Sequence, residues 1–444
     1  MNSALYNLIG IGANRGGIDL SANSPYWYGV EKLLADTSPD LTRIGNMYYH
    51  KAVVLPCHNA IKGGCQADNG TYNYMFKSDE WSKKANGTES KRDGTDGQVM
   101  MHWPDFYYKV EEDALSWRLK FSPYAISGFT KVKKHDLSAY AMALDRTNNK
   151  AASVINTTTQ YRGGNNNAAW DAAGNSLLGM AATNFNRTNG RTYARNRGAG
   201  WDLYGHNDHK WLFWFFAVEY ATLNSQKAVN NTLTSSGFRQ GGLGAGVSTA
   251  ISQEWSTYNS YNPFVKCGVT DALGNASGEV SVTVPDFGGS GVSKTFTQCR
   301  YRGHEEPFGH LFKITVGNII LIQANDAGAE SRLYTSDNPA DWNDTDYSTY
   351  ALRGLLPRAE GYMKDAIMGA TAEFCTSSVG GSSGSYYCDY FYTNIPASGS
   401  ALRMLLVGGL AYYGASAGFA FSTTTYAPSS AFASIGSRLR FEAA

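Results

Sequence analysis

The chain of 444 residues reads as an α+β protein with many short strands and long loops. Three observations predict this. Apolar runs of strand length recur between clusters of Gly, Asn and Asp. One stretch, Trp211-Leu212-Phe213-Trp214-Phe215-Phe216-Ala217-Val218-Glu219-Tyr220, is apolar nearly all round and long enough for a helix packed on a β layer. The composition, with 48 Gly, 29 Tyr and 17% charged residues, suits turns and aromatic packing and excludes a disordered polymer.

In chain order, residues 1–48 read as loose turns with one short helix near Tyr28 to Ala35, an attachment arm rather than a core. Residues 49–139 read as a small β-rich domain, with strand-like runs at Val53-Val54-Leu55, Val99-Met100-Met101, Asp105 to Val110 and Leu115 to Phe121. The polar segment Lys83 to Asp96 is expected to be an exposed loop. Residues 140–444 read as one irregular α+β domain. Its helix is expected within Asp208 to Ala228, a hairpin from Glu279 to Val284 and Thr295 to Arg302, a second strand pair within Phe312 to Gln323, and a Gly/Ser loop from Gly380 to Ser385.

Net charge is +1, so no basic excess points to nucleic acid or anionic lipid. No apolar run approaches the ~18 residues of a membrane span, and Met1 to Gly12 has neither the basic nor the apolar part of a signal peptide. Synthesis in a cytosol, with reduced thiols, is the expectation. The six cysteines, at 57, 65, 267, 299, 375 and 388, form no CxxC pair. Local pairing of 57 with 65, 267 with 299 and 375 with 388 stays open, because spacing does not set connectivity.

Motifs for chemistry are weak. Gly10, Gly12 and Gly16 follow no buried strand, so a dinucleotide site is not expected. His304 and His310 are separated by Pro307 and Gly309 and cannot share a helix face as zinc ligands. Asp337, Asp341, Asn343, Asp344 and Asp346 are oxygen ligands of the kind calcium takes, yet the EF-hand glycine and glutamate are missing, so loop capping is the expected role. No GxSxG elbow exists, and Asn207 or Asp208 is expected to cap a helix. No catalytic residue and no cofactor is assigned.

The segment from Gly408 to Ser437 is different in kind. At the charge density of the chain it should carry about five ionised residues, and it contains no Asp, Glu, Lys, Arg, His, Asn, Gln, Trp or Met. Aromatics stand among Ser, Thr, Ala and Gly, the vocabulary of a paratope: rigid contact area beside adaptable hydroxyls. The candidate ligand-binding residues are Tyr412, Tyr413, Ser416, Phe419, Phe421, Ser422, Thr423, Thr424, Thr425, Tyr426, Ser429, Ser430 and Phe432. Gly408, Gly409, Gly414, Gly418, Ile435, Gly436, Arg438 and Leu439 are expected to be scaffold, glycines for tight turns and Ile435 and Leu439 as core anchors.

The pattern Leu402-Arg403, Gly408-Gly409, Gly414-Ala415, Ala417-Gly418 and Ile435-Gly436-Ser437-Arg438-Leu439 resembles the variable proteins of diversity-generating retroelements, the tropism-determinant-like receptor-binding proteins of phages. In such proteins randomised adenines yield codons ending in a pyrimidine, and every residue from Gly408 to Ser437 belongs to the permitted set. The frame also resembles the formylglycine-generating-enzyme subtype of the C-type-lectin fold, through Arg403, Gly408, Gly409, Gly436, Arg438 and Leu439. No redox cysteine pair falls within the frame, so catalysis is not implied. Upstream, Tyr193 to Trp201 and Glu219 to Gln226 resemble segments of tailed-phage structural proteins.

The resemblance implies a non-enzymatic virion adhesin of the tail or fibre, made in the host cytoplasm. It implies a C-type-lectin-like domain that binds a bacterial surface receptor, glycan or protein. It further implies contact with other virion tail proteins through the N-terminal arm, a homotrimer, and neither nucleic-acid binding nor membrane insertion. Two other readings stay open: a structural virion protein such as a collar or head fibre, with the C-terminal stretch buried in a subunit contact, and a lectin-fold enzyme.

Overall fold

A computed structural model describes residues 25–443. It is a β-rich α+β structure with three α-helices among the described residues, Arg187–Arg195, His206–Tyr220 and Ser252–Asn259. No described helix is long and apolar enough to cross a membrane.

The expected helix near Tyr28 is instead the strand Tyr28–Leu33, paired on one side with Thr42–Gly45 and on the other with Ser116–Ser122. Local propensity yields to sheet context here. Gly29 lies so close to the Leu119 carbonyl that no Cβ would fit, which marks a strand between close neighbours rather than a helix. Phe106–Glu112 and Thr130–Val132 complete this five-stranded sheet. Within the expected arm, Tyr28–Leu33 and Thr42–Gly45 are therefore sheet strands; residues 1–24 of it lie outside the described residues. Val53 to Leu55, expected as strand, forms turns.

The boundary expected near residue 139 does not hold. In a seven-stranded sheet, Trp201–Leu203 and Leu439–Phe441 lie beside His135–Ser138, followed by Gln98–Trp103, Lys62–Gln66, Tyr72–Lys77 and Glu80–Lys84. Asp136 pairs with Phe441 and Leu137 with Arg440, so the chain's C-terminal strand closes onto what the sequence separated as a domain. One hydrophobic cluster runs from Tyr28 to Phe441. Periodicity reveals strands but not which distant strands pair, and that is why the boundary was misplaced.

The helix His206–Tyr220 sits at the centre, where the aromatic run predicts it. Phe215 packs within 5 Å of Trp103, Phe106 and Phe121 by ring centroids. On another side, Phe216 lies 5.4 Å from Phe419. His58 donates to the Phe215 carbonyl at 2.9 Å and accepts from the Tyr28 hydroxyl at 2.7 Å, which ties the first sheet to the helix. The Asp208 carboxylate accepts the Gly205 backbone N–H at 2.6 Å, the capping role expected of it.

The hairpin Gly278–Val284 with Lys294–Tyr301 forms in the expected place, Gly278 opposite Arg300 and Val284 opposite Lys294. Phe312–Ile314 and Asn318–Gln323 are both strands, but they enter different sheets instead of pairing. All six cysteines are buried free thiols. Burial raises Cys57, Cys65, Cys299 and Cys388 to about 12, so they behave as small apolar side chains.

Candidate functional site

The C-terminal segment is shaped by the strand Gly418–Thr423, which lies inside a seven-stranded sheet between Tyr390–Tyr392 and Leu406–Gly408. A central strand is covered on both faces, and every residue of this one is buried. Gly408 and Gly409 leave the preceding strand at φ 90° and 80°, a left-handed turn that side chains rarely adopt. At Gly418 a Cβ would collide with the Asp389 carboxyl, whose oxygen accepts the Ala420 N–H at 2.7 Å. Burial raises the pKa of Asp389 well above the ordinary carboxyl range.

Arg438 is fully buried and donates to the carbonyls of Ser138, Ala139, Glu305 and Glu306. Together with the buried side chains of Ile435 and Leu439, it fastens the end of the segment to the rest of the fold, in the scaffold role expected of it.

The thirteen candidate residues therefore divide, which corrects the sequence reading. Phe419, Phe421, Ser422, Thr423 and Thr424 are buried and cannot meet a macromolecular ligand. Phe419 packs on Phe216, Tyr301 and Phe308. Phe421 stacks on Phe312, centroids 5.8 Å apart. Thr424 donates its hydroxyl to Thr393 at 3.0 Å. Absence of charge described a strand interior as well as a surface, because both avoid ionised groups.

The other candidates reach the surface in the flanking loops. Tyr412 and Phe432 are 36% and 48% exposed, large fractions for aromatic rings. Tyr413, Ser416, Thr425, Tyr426 and Ser430 are half-buried, and Ser429 is exposed. Tyr412, Tyr426 and Phe432 line a cleft of about 400 Å³, together with Phe312 and Leu410. The rings form a connected chain. Tyr412 meets Tyr413 at 5.0 Å, Tyr413 meets Phe312 at 5.7 Å, Phe312 meets Tyr426 at 6.1 Å, and Tyr426 meets Phe432 at 5.4 Å. Such contacts hold the side chains in place before any ligand arrives.

Several members escaped the sequence reading. Tyr261 faces Tyr412 at 6.2 Å. Tyr392 lies 5.4 Å from Tyr413, and Tyr390 and Tyr362 extend the cluster to Ser416, whose hydroxyl is 3.3 Å from that of Tyr362. The run Tyr390-Phe391-Tyr392 was a visible signal. Nothing local marks Tyr261.

Among the described residues, no ionisable side chain other than tyrosine lines the cleft. Burial raises the pKa of Tyr412, Tyr413 and Tyr426, so their phenols stay neutral and keep their O–H donors. The loop carrying Phe432 is held from behind: the Asn184 N–H donates to the Phe432 carbonyl at 3.0 Å and the Arg187 N–H to the Pro428 carbonyl at 3.1 Å.

The carboxylates singled out in the sequence serve the fold. Asp344 pairs with Arg187, Asp341 accepts the Ser336 hydroxyl, and Asp337 accepts the Asn207 amide. Asn343 and Asp346 cap loop N–H groups. No cluster of three or more His, Cys, Asp or Glu side chains suited to a metal is found among the described residues. Glu306 accepts from His310 and Lys313; their charges outweigh its burial and hold its carboxyl down to about 2. Glu305 is pushed up to about 7 by burial and by the Asp271 charge, and both carboxyls are buried within the fold.

No protein-family model matches the chain, and no curated protein matches it.

Proposed function

We propose that the protein is a phage virion adhesin, similar to the retroelement-diversified receptor-binding proteins, and that its C-terminal loops bind a bacterial surface receptor. The observation that carries this reading is the preorganised, uncharged aromatic cleft. Tyr412, Tyr426 and Phe432, all from the charge-free segment, converge there with Tyr261 and Phe312, and Tyr413 packs against Tyr412 and Phe312. Rings fixed by their neighbours lose little entropy on binding, and neutral phenols offer hydrogen bonds to a glycan or protein receptor.

In this reading the buried strand Gly418–Thr423 belongs to a C-type-lectin-like scaffold, and the flanking loops carry the variation. The homotrimer and the attachment of residues 1–24 to other virion tail proteins are part of the same proposal. Many copies on a virion would raise the avidity of a weak single site.

The test is attachment of the purified protein, and of virions carrying it, to host cells after Tyr412→Ala, Tyr426→Ala and Phe432→Ala are combined. Loss of attachment with an unchanged circular dichroism spectrum is the expected result. Normal attachment by the folded variant would refute the reading. A genomic near-copy of the coding sequence for 408–437, differing at adenines and lying beside a reverse-transcriptase gene, is the complementary expectation.

A further inference from the structure

A second concave surface is built from other parts of the chain, none of them beyond Arg302. It is a groove of about 670 Å³ between the strands Lys62–Gln66 and Tyr72–Lys77, the turn Asn275 to Ser277, and the end of the central helix. Its electrostatics turn on one carboxylate. Glu219, 1% exposed, binds Arg302 through both oxygens, at 2.6 Å to Nε and 2.8 Å to a terminal nitrogen, and accepts the Tyr301 hydroxyl at 2.9 Å.

With Glu219 thus satisfied, Arg239 is left over. Its Nε stands 3.6 Å from the nearer Glu219 oxygen, too far for a hydrogen bond, and its side chain makes none with any described residue. Lys62 is exposed on the same groove and has no ion-pair partner among the described residues. Lys77 differs, because Asp79 and Glu80 neutralise it from outside. The groove therefore pairs one internal carboxylate with three cations, Arg302, Arg239 and Lys62, and the surplus is positive.

We propose that this groove binds a saccharide-sized anion, a sugar unit bearing a carboxylate or a phosphate. Arg239 is the anion receptor, because a guanidinium with free donors matches either group bidentately. Lys62 adds a point charge at the rim. Ile61, Met75 and Phe76 supply an apolar wall for the face of a ring, and the groove is far roomier than a bare inorganic ion requires. The proposal stands on different residues from the aromatic cleft and does not rest on the adhesin reading.

Isothermal titration of the full chain with glucuronate, glucose 6-phosphate, inorganic phosphate and glucose tests it. Both or either of the acidic sugars should bind, more weakly as salt rises, and more tightly than glucose. Arg239→Gln should weaken that binding by about tenfold, the loss of one charge-assisted contact, and Lys62→Gln by less, while the two variants melt as the parent does. Should Arg239→Gln fail to fold, the exposed Lys62→Gln still reads the charge of the groove. Absence of binding by both acidic sugars, equal binding of glucose, or unchanged binding by the folded variants overturns the proposal. Inorganic phosphate binding as tightly as glucose 6-phosphate overturns its saccharide part.

Discussion

The helix His206–Tyr220 and the loops flanking the strand Gly418–Thr423 are both rich in aromatic residues, and they use them oppositely. In the helix every residue except Asn207 is buried, and apart from Tyr220 the aromatic residues of its apolar run are Trp and Phe, with little polar surface to satisfy. The Trp214 indole N–H finds the Ala372 carbonyl at 2.7 Å. In the loops Tyr predominates, and its hydroxyl favours a site that is apolar at one end and wet at the other. The two groups meet at the strand itself, where Phe419 joins the helix cluster and Phe421 stacks on Phe312, a residue of the cleft. The difference teaches that aromatic content alone marks neither core nor surface; the polar tip and the strand's place in its sheet separate them.

The largest effect that would break this contrast is expected from truncating its buried members. Phe215→Ala and Phe421→Ala should each cost about 3–5 kcal/mol in urea unfolding, a buried ring plus its cavity. A loss below about 1 kcal/mol for Phe421→Ala would mean that it behaves as a surface residue after all.

Acid should act on the helix side. Burial holds His50 at about 4, His58 and His209 at about 3, and His304 well below its ordinary value. In the unfolded chain imidazoles take up protons near 6.5, so this stability is present above pH about 6.5 and is lost as pH falls toward the folded values. Glu305 and Asp389, both raised chiefly by burial, run the other way: their contribution is present in acid and fades as pH rises through their folded values, about 7 for Glu305. The four imidazoles outnumber the two carboxyls, and Glu306 and Glu373, held down to about 2, also take up protons on unfolding, so stability falls toward acid near pH 5. Unfolding free energies measured from pH 7 to 5 check the sign; a flat or rising profile toward acid contradicts buried neutral imidazoles.

The smallest effect on stability belongs to the cleft. Tyr412→Ala and Phe432→Ala should each change the unfolding free energy by no more than about 0.5 kcal/mol, as for exposed positions. A larger loss from Phe432→Ala would sharpen the contrast differently, by showing that the loop depends on its own ring for support.

Much of the fold was legible locally. The apolar run from Trp211 to Tyr220 announced the helix, because a segment without a polar face must be buried. The alternating residues of Gly278–Val284 and Lys294–Tyr301 announced the hairpin, whose partners are close in sequence. Half of the site was legible too: composition marked 408–437, and Gly418 and Arg438 do serve as scaffold, one yielding space to Asp389 and the other binding four carbonyls.

The sequence by itself determined where aromatic, glycine and charge-free segments lie, and hence the central helix and the kind of surface the C-terminus presents. Tertiary structure decided the rest. It turned Tyr28–Leu33 into a strand, closed Leu439–Phe441 onto His135–Ser138, buried Phe419 to Thr424, brought Tyr261 to the cleft and Tyr362, Tyr390 and Tyr392 into its connected ring cluster, and left Arg239 beside Glu219 without a hydrogen bond. The physical reason is common to all of these. Burial and pairing depend on neighbours far away in the chain, and a residue's own type sets only what it costs or gains once those neighbours arrive.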